Sequence, residues 1–358
     1  MIRIPIRTVC FPVLASTIAG LALATGAFAA PSAAKGVRVV PDVAQHRVTI
    51  TIDGKPFTSY IWPASVKKPV LYPIVAADGT TVTRGYPLDP RPGERTDHPH
   101  HVGLWFNYSN VNGFDFWNNS DAIKPARRPK MGTIVFKKII SANSGADRGE
   151  LTTESTWVTG AGEPIIDETT HFVFTRGADG TRIITRTATL HALDKVVFHD
   201  DKDGMLGLRV ASWLESPTAK GGEFRDASGA VTRVAAASPG ASGVYLTSEG
   251  VKGDAAWGTR GKWCALTGHT GDQTVTIAIF DDPHNPGNPT YWHARGYGLF
   301  AANPLGRDGF DPKQPPFNYT LQKGQTEVFR YRIAIYTHAA TPEELNRESA
   351  AFDSAYTQ

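Results

Sequence analysis

The sequence predicts an all-β protein: a large antiparallel β-sandwich with one short C-terminal helix. Apolar and polar residues alternate with period two through most of the chain. Asp-Gly pairs and Gly-rich clusters punctuate the alternation as hairpin turns do. A complete helix-start signal occurs only near the C-terminus.

The first residues read as an address rather than as fold. Arg3 and Arg7 precede the apolar run Val9–Ala24, and Ala27-Phe28-Ala29 offers small residues where a signal peptidase reads. Residues 1–29 are therefore expected to be a secretory signal peptide cleaved after Ala29, residues 30–36 a leader, and 37–358 a single sandwich domain, periplasmic or secreted. "HRVTITIDGKPFTSYIW" is a hairpin around Asp53-Gly54, and "VLYPIVAADGTTVTRGY" repeats the device at Asp78-Gly79. Four long runs, "TIVFKKIIS", "ELTTESTWV", "IIDETTHFVF" and "TRIITRTATLH", fill Gly132 to His191, with turn clusters between them. "KWCALTGHTGDQTVTIAIFD" is a further hairpin, and "TEVFRYRIAIYTH" closes the β region. In "TPEELNRESAAFDSAY", Thr341 suits the N-cap, Pro342 the first turn and Glu344 the capping-box position.

Composition excludes several classes. Cleavage would leave Cys264 alone, so no intrachain disulfide is expected. It would also leave 35 basic against 34 acidic residues, a net charge of +1 that gives no footprint for nucleic acid or an anionic membrane. No later stretch is apolar enough to span a bilayer as a helix. The phosphate loop G-x-x-x-x-G-K, the elbow G-x-S-x-G and the zincin motif H-E-x-x-H do not occur.

Two segments break the alternation: Arg91 to Ser120, with "RTDHPHHVGLW", and Phe280 to Phe310, with "DDPHNPGNPTYWHARGYGLF". Both are dense in His, Asn, Asp and aromatics, and five of the eleven histidines lie there. Such loops carry sites on β scaffolds. Asp97, His100, His101, His284 and His293 are the candidate catalytic residues, because a carboxylate beside an imidazole sets its tautomer and pKa. Glu94, His98, Asp115, Asn107, Asn285, Arg295 and Asn303 are candidate polar substrate contacts, and Trp105, Trp117 and Trp292 candidate sugar platforms. An extended Asp97–Trp105 would point His98 and His100 to one face and His101 to the other. His98 and His100, joined by His293, would then form a divalent metal site, an alternative to cofactor-free acid–base chemistry.

On "RPGERTDHPHHVGLWF", "VNGFDFW", "DDPHNPGNPTYWHARGYGLFAANPLG" and "GQTEVFRYRIAIYTH", the chain resembles the bacterial family described as "methane oxygenase PmoA-like". The resemblance implies a sandwich of the galactose-mutarotase-like supersandwich kind and a link to glycan catabolism. The expected function is an exported carbohydrate-active enzyme, a glycoside hydrolase or lyase, cleaving a glycosidic bond by His/Asp acid–base chemistry. The alternatives are a sugar mutarotase or epimerase, a non-catalytic glycan-binding protein, and a metal-dependent oxygenase. A carbohydrate or glycoside is the expected partner, with neither nucleic acid nor membrane.

Overall fold

The computed structural model describes residues 1–2, 35–177, 179–225, 231–234 and 236–356. The expected signal peptide and leader therefore lie almost wholly outside the described residues. From Lys35 onward the described residues group by their contacts as one unit. No helix among the described residues is long and apolar enough to cross a membrane.

The chain first lays down five strands of one sheet: β1 (Val37–Asp42), β2 (Arg47–Ile52), β3 (Lys55–Ile61), β4 (Val70–Ile74) and β5 (Leu104–Tyr108). Asp53 and Gly54 both take positive φ, as the two-residue β2–β3 turn requires. The four long runs become a meander in the second sheet: β6 (Thr133–Asn143), β7 (Arg148–Val158), β8 (Pro164–Arg176) and β9 (Arg182–Ala192). After β10 (Val196–Phe198), β11 (Gly204–Arg209) returns to the first sheet beside β5. β12 (Gly222–Arg225) and β13 (Val231–Val234) form a separate hairpin. β14 (Val244–Thr247), β15 (Trp263–Thr270) and β16 (Gln273–Asp281) extend the second sheet, and β17 (Tyr291–Arg295) and β18 (Leu299–Asn303) complete the first. A short helix α1 (Arg307–Phe310), β19 (Tyr319–Leu321) paired to β10, β20 (Thr326–Tyr336) and helix α2 (Pro342–Ser354) end the chain.

Both main sheets have eight strands, in the orders β1-β2-β3-β4-β5-β11-β18-β17 and β14-β15-β16-β20-β9-β8-β7-β6, and all their ladders are antiparallel. Leu104, Phe106, Leu206, Leu208, Phe300 and Trp292 from the first sheet meet Phe172, Ile184, Ile277 and Phe329 from the second in one core. The outer face of the second sheet is covered by α2, whose Leu345 and Phe352 pack on Trp263, Phe280 and Tyr336. Thr341 and Glu344 cap that helix reciprocally, as the sequence predicts. The outer face of the first sheet is covered by loop residues around Trp105 and Trp117, and there the histidines collect.

Candidate active site

The floor of the site follows from strand register. Directly paired residues of antiparallel strands share a face. Trp105, Gly207, Ala301 and His293 pair in one row across β5, β11, β18 and β17, so all four face outward. Arg209, Leu299 and Arg295 form the adjacent outward row. Trp292 alternates to the opposite face and packs in the core between the sheets, which corrects its expected role as a sugar platform.

The segment after Glu94 is a turn and not an extended strand. His101 N–H donates to the His98 carbonyl at 3.0 Å, Pro99 presets the second position, and His98 takes φ +45°. This left-handed conformation is costly for a side chain with a Cβ, and such strain concentrates at functional sites. The turn gathers all three histidines instead of splitting them. His98 stacks on His101 with centroids 4.8 Å apart, and His100 meets His101 edge-on at 4.4 Å. Gly103, at φ +58°, lets the chain re-enter β5, because a Cβ there would lie 2.2 Å from the Leu71 carbonyl oxygen.

Arg84 holds the turn together. Its buried guanidinium donates to the carbonyls of Arg95, Asp97, His98 and His101 and to Asp97 Oδ1. Arg209 donates to the same Oδ1 at 2.8 Å and to His101 Nδ1 at 3.2 Å. Because the arginine donates, His101 Nδ1 accepts and its proton belongs on Nε2. His98 Nδ1 sits 2.5 Å from Asp97 Oδ2. Burial by itself would raise the Asp97 carboxyl, but Arg209, His98 and Arg84 outweigh it and hold the group far below the usual carboxylate range. Burial lowers His98, partly offset by Asp97, and drives His100 and His101 well below the ordinary histidine value.

Access separates the three rings. His100 and His101 are 3% and 1% exposed, whereas the His98 side chain keeps 16%. His98 also lies parallel to Tyr297 at 5.2 Å, which joins the two irregular loops. Beside Tyr297 opens a pocket of about 310 Å³, lined by Thr218, Lys220, Asp254, Trp257, Arg295 and Tyr297. Arg295 lies over the rings of both Trp257 and Tyr297.

The other expected site residues are placed as follows. His293 is buried on the same face, its Nδ1 3.1 Å from the Lys202 carbonyl and 3.6 Å from Asp203, and burial brings it down to about 4. Asn107 donates to the Phe116 carbonyl, and Asn303 bridges the Asp201 carbonyl and Leu305 N–H, so both tie loops to the floor. Trp117 packs on Trp105. Asp115 begins the turn to Asn118, and burial pushes it up to about 6. Glu94 accepts from Gly85 N–H and braces the loop.

His284 and Asn285 are corrections. His284 binds Asp282, and Asn285 binds Asp281 and the Arg330 backbone at the second sheet, so the loop joining the sheets is folded by its own polar groups. The metal set is also corrected. Among the described residues no three His, Cys, Asp or Glu side chains gather as metal ligands.

Arg84, Arg209 and Lys68 were missed by the sequence reading. Each is a cation inside or beside a strand-like run, a signal that only their burial makes meaningful. Lys68 Nζ donates to the His100 carbonyl at 2.8 Å over the Trp105 ring, and burial lowers it to about 7.

The family profile of unknown function DUF6807 matches residues 47–350. The chain belongs to the DUF6807 family. This overturns the resemblance to the methane oxygenase PmoA-like family, which no comparison returns. No curated protein matches this DUF6807 chain. Among solved structures it is similar to a galactose 1-epimerase from Lactobacillus acidophilus NCFM, at 10% identity over 82% of this chain and 95% of that one, with a TM-score of 0.38. It is also similar to a GalM/aldose epimerase homologue from C. elegans, at 9% identity over 86% and 100%, TM-score 0.32. A heparan sulfate lyase mutant from Pedobacter heparinus matches at 8% identity over 83% of this chain and 36% of that one, TM-score 0.31. At these scores the functional reading of the DUF6807 chain rests on its own residues.

Proposed function

We propose that the protein is a carbohydrate-active enzyme that breaks a glycosidic bond by acid–base catalysis, with His98 as the proton carrier and Asp97 as its positioning residue. The observation that carries this reading is the Asp97–His98 pair. Two buried arginines lock the aspartate ionised, and its partner is the one ring of the histidine cluster with appreciable solvent access. Such a carboxylate fixes the imidazole's tautomer with the proton on Nδ1, the form in which Nε2 carries the basic lone pair. Trp257 offers a face for a sugar ring, and Arg295 and Asp254 offer polar contacts to hydroxyls. His100 and His101, expected as catalytic, become supports of this base in the proposal, because they lack access.

The test is a glycoside panel with product analysis. His98→Gln is expected to lower kcat by about 100- to 10,000-fold, the usual contribution of a general base, with Tm nearly unchanged. Wild-type activity should fall on acidification through a midpoint below about 6.5, because burial favours the neutral ring and protonation removes the base. Activity should survive chelation. Full turnover by His98→Gln would end the proposal, and binding without turnover by the wild type would make the protein a glycan binder. A second reading, mutarotation or epimerisation, is favoured by the pocket's volume of about 310 Å³, at the small end for ligand sites. Anomer interconversion without new reducing ends would select it. Export is proposed with either reading, and mass spectrometry of the native protein should find an N-terminus near Ala30.

A further inference from the structure

A second cleft, of about 610 Å³, opens beyond Lys68 and is lined by Trp62, Lys67, Lys68, Arg128, Phe136 and Thr159. Trp62 and Phe136 stack at 3.9 Å with planes 19° apart and form a half-buried aromatic wall. Its charged lining is Lys67, Lys68 and Arg128 with the acid Asp121, and Arg128 belongs to a basic segment. Lys124, Arg127, Arg128 and Lys130 fall in the seven residues "KPARRPK", which contain no acid, and all four are exposed around the 3₁₀ turn Pro125–Lys130. Lys67 pairs with Asp121, a largely exposed partner, and such pairs are worth little in water. With a formal net charge of +3 on the whole chain, this concentration of cations is local.

An aromatic wall beside arginine forks fits one ligand chemistry well. The ring stacks on the apolar face of a sugar, and the planar guanidinium matches a carboxylate with two parallel hydrogen bonds. We infer that this cleft binds an acidic oligosaccharide, a chain of uronic acids. The inference rests on the carbohydrate reading above and names the substrate class. Lys68 spans the two places, with its stem in the cleft wall and its Nζ on the His100 carbonyl.

The experiment is titration calorimetry of the full chain with tetragalacturonate, using cellotetraose as the neutral control and oligothymidylate and phosphatidylserine vesicles as the other polyanions. Tetragalacturonate should bind, more weakly as salt rises, and at least about tenfold tighter than cellotetraose, the scale of one charge-assisted hydrogen bond. The double reversal Arg127→Glu/Arg128→Glu, on exposed side chains, should weaken binding by about tenfold or more. Trp62→Ala should weaken both sugars, and if that variant does not fold, the charge reversal still decides. Equal affinity for cellotetraose, indifference to the double reversal, or tighter binding of the oligonucleotide or the vesicles would overturn the inference. His98→Gln should bind tetragalacturonate as the wild type does. Binding of tetragalacturonate by a protein that turns over no glycoside of the panel would keep this inference and end the catalytic one.

Discussion

Asp97 illustrates how one residue carries both structure and chemistry. Its carboxylate is 1% exposed and takes Arg84, Arg209 and His98 as partners, so removing its charge strands two buried guanidinium groups. Asp97→Asn is expected to cost about 3–5 kcal/mol, the range for breaking one side of a buried ion pair. The pH dependence follows from the lowered carboxyl. The folded state binds fewer protons here than the unfolded state, whose value is about 3.9. The stabilisation is therefore complete above about pH 4 and is lost as pH falls further. Tm measured against pH should flatten below about pH 4 in Asp97→Asn, and an unchanged acid limb would contradict the assignment. The sequence marked Asp97 and the histidines by density alone. It could not show which imidazole keeps solvent access, because that depends on a turn with a left-handed residue.

Elements position the site through register. Gly207 pairs with Trp105 on β5, and the missing side chain is filled by the two tryptophans: a Cβ would lie 2.4 Å from Trp105 Cζ2 and 2.9 Å from Trp117 Cη2. Gly207→Ala should therefore destabilise by about 1–3 kcal/mol, as overpacking does, and shift the tryptophan emission. Wild-type stability and an unaltered spectrum would show that the floor yields. The hairpins at Asp53-Gly54, the four long runs and the capped C-terminal helix were legible because each signal is local. The pairing of β11 with β5 and β18 was not, since about 100 residues separate partners whose apolar patterns resemble those of any other strand.

At the scale of the molecule, two eight-stranded sheets bury a continuous core, with loops over one outer face and α2 over the other. Glu168 and Arg186 pair inside this core, with Trp157 also donating to the glutamate, so each of these buried charges is answered by a partner. Cys264 is wholly buried among the same core side chains, and burial raises its thiol far above the ordinary value. A thiol reagent should therefore leave Cys264 untouched in native buffer, and labelling should appear only along the global unfolding transition followed by circular dichroism. Rapid labelling of Cys264 in the native protein would mean that the sandwich opens locally around β15.

The sequence by itself determined the class of fold, the turns, the helix cap and the two irregular loops, because period, turn chemistry and capping act over a few residues. It did not determine the family, which the PmoA-like resemblance misplaced, nor the membership of the site. His284, Asn285 and Trp292 share the composition of a functional loop, yet His284 binds its own loop, Asn285 binds the second sheet and Trp292 fills the core. Arg84, Arg209 and Lys68 look like ordinary strand cations, yet they frame the histidines. Only the tertiary structure decided these places, because strand register selects the face a side chain takes, and burial decides whether a charge is solvated or must be answered by a partner.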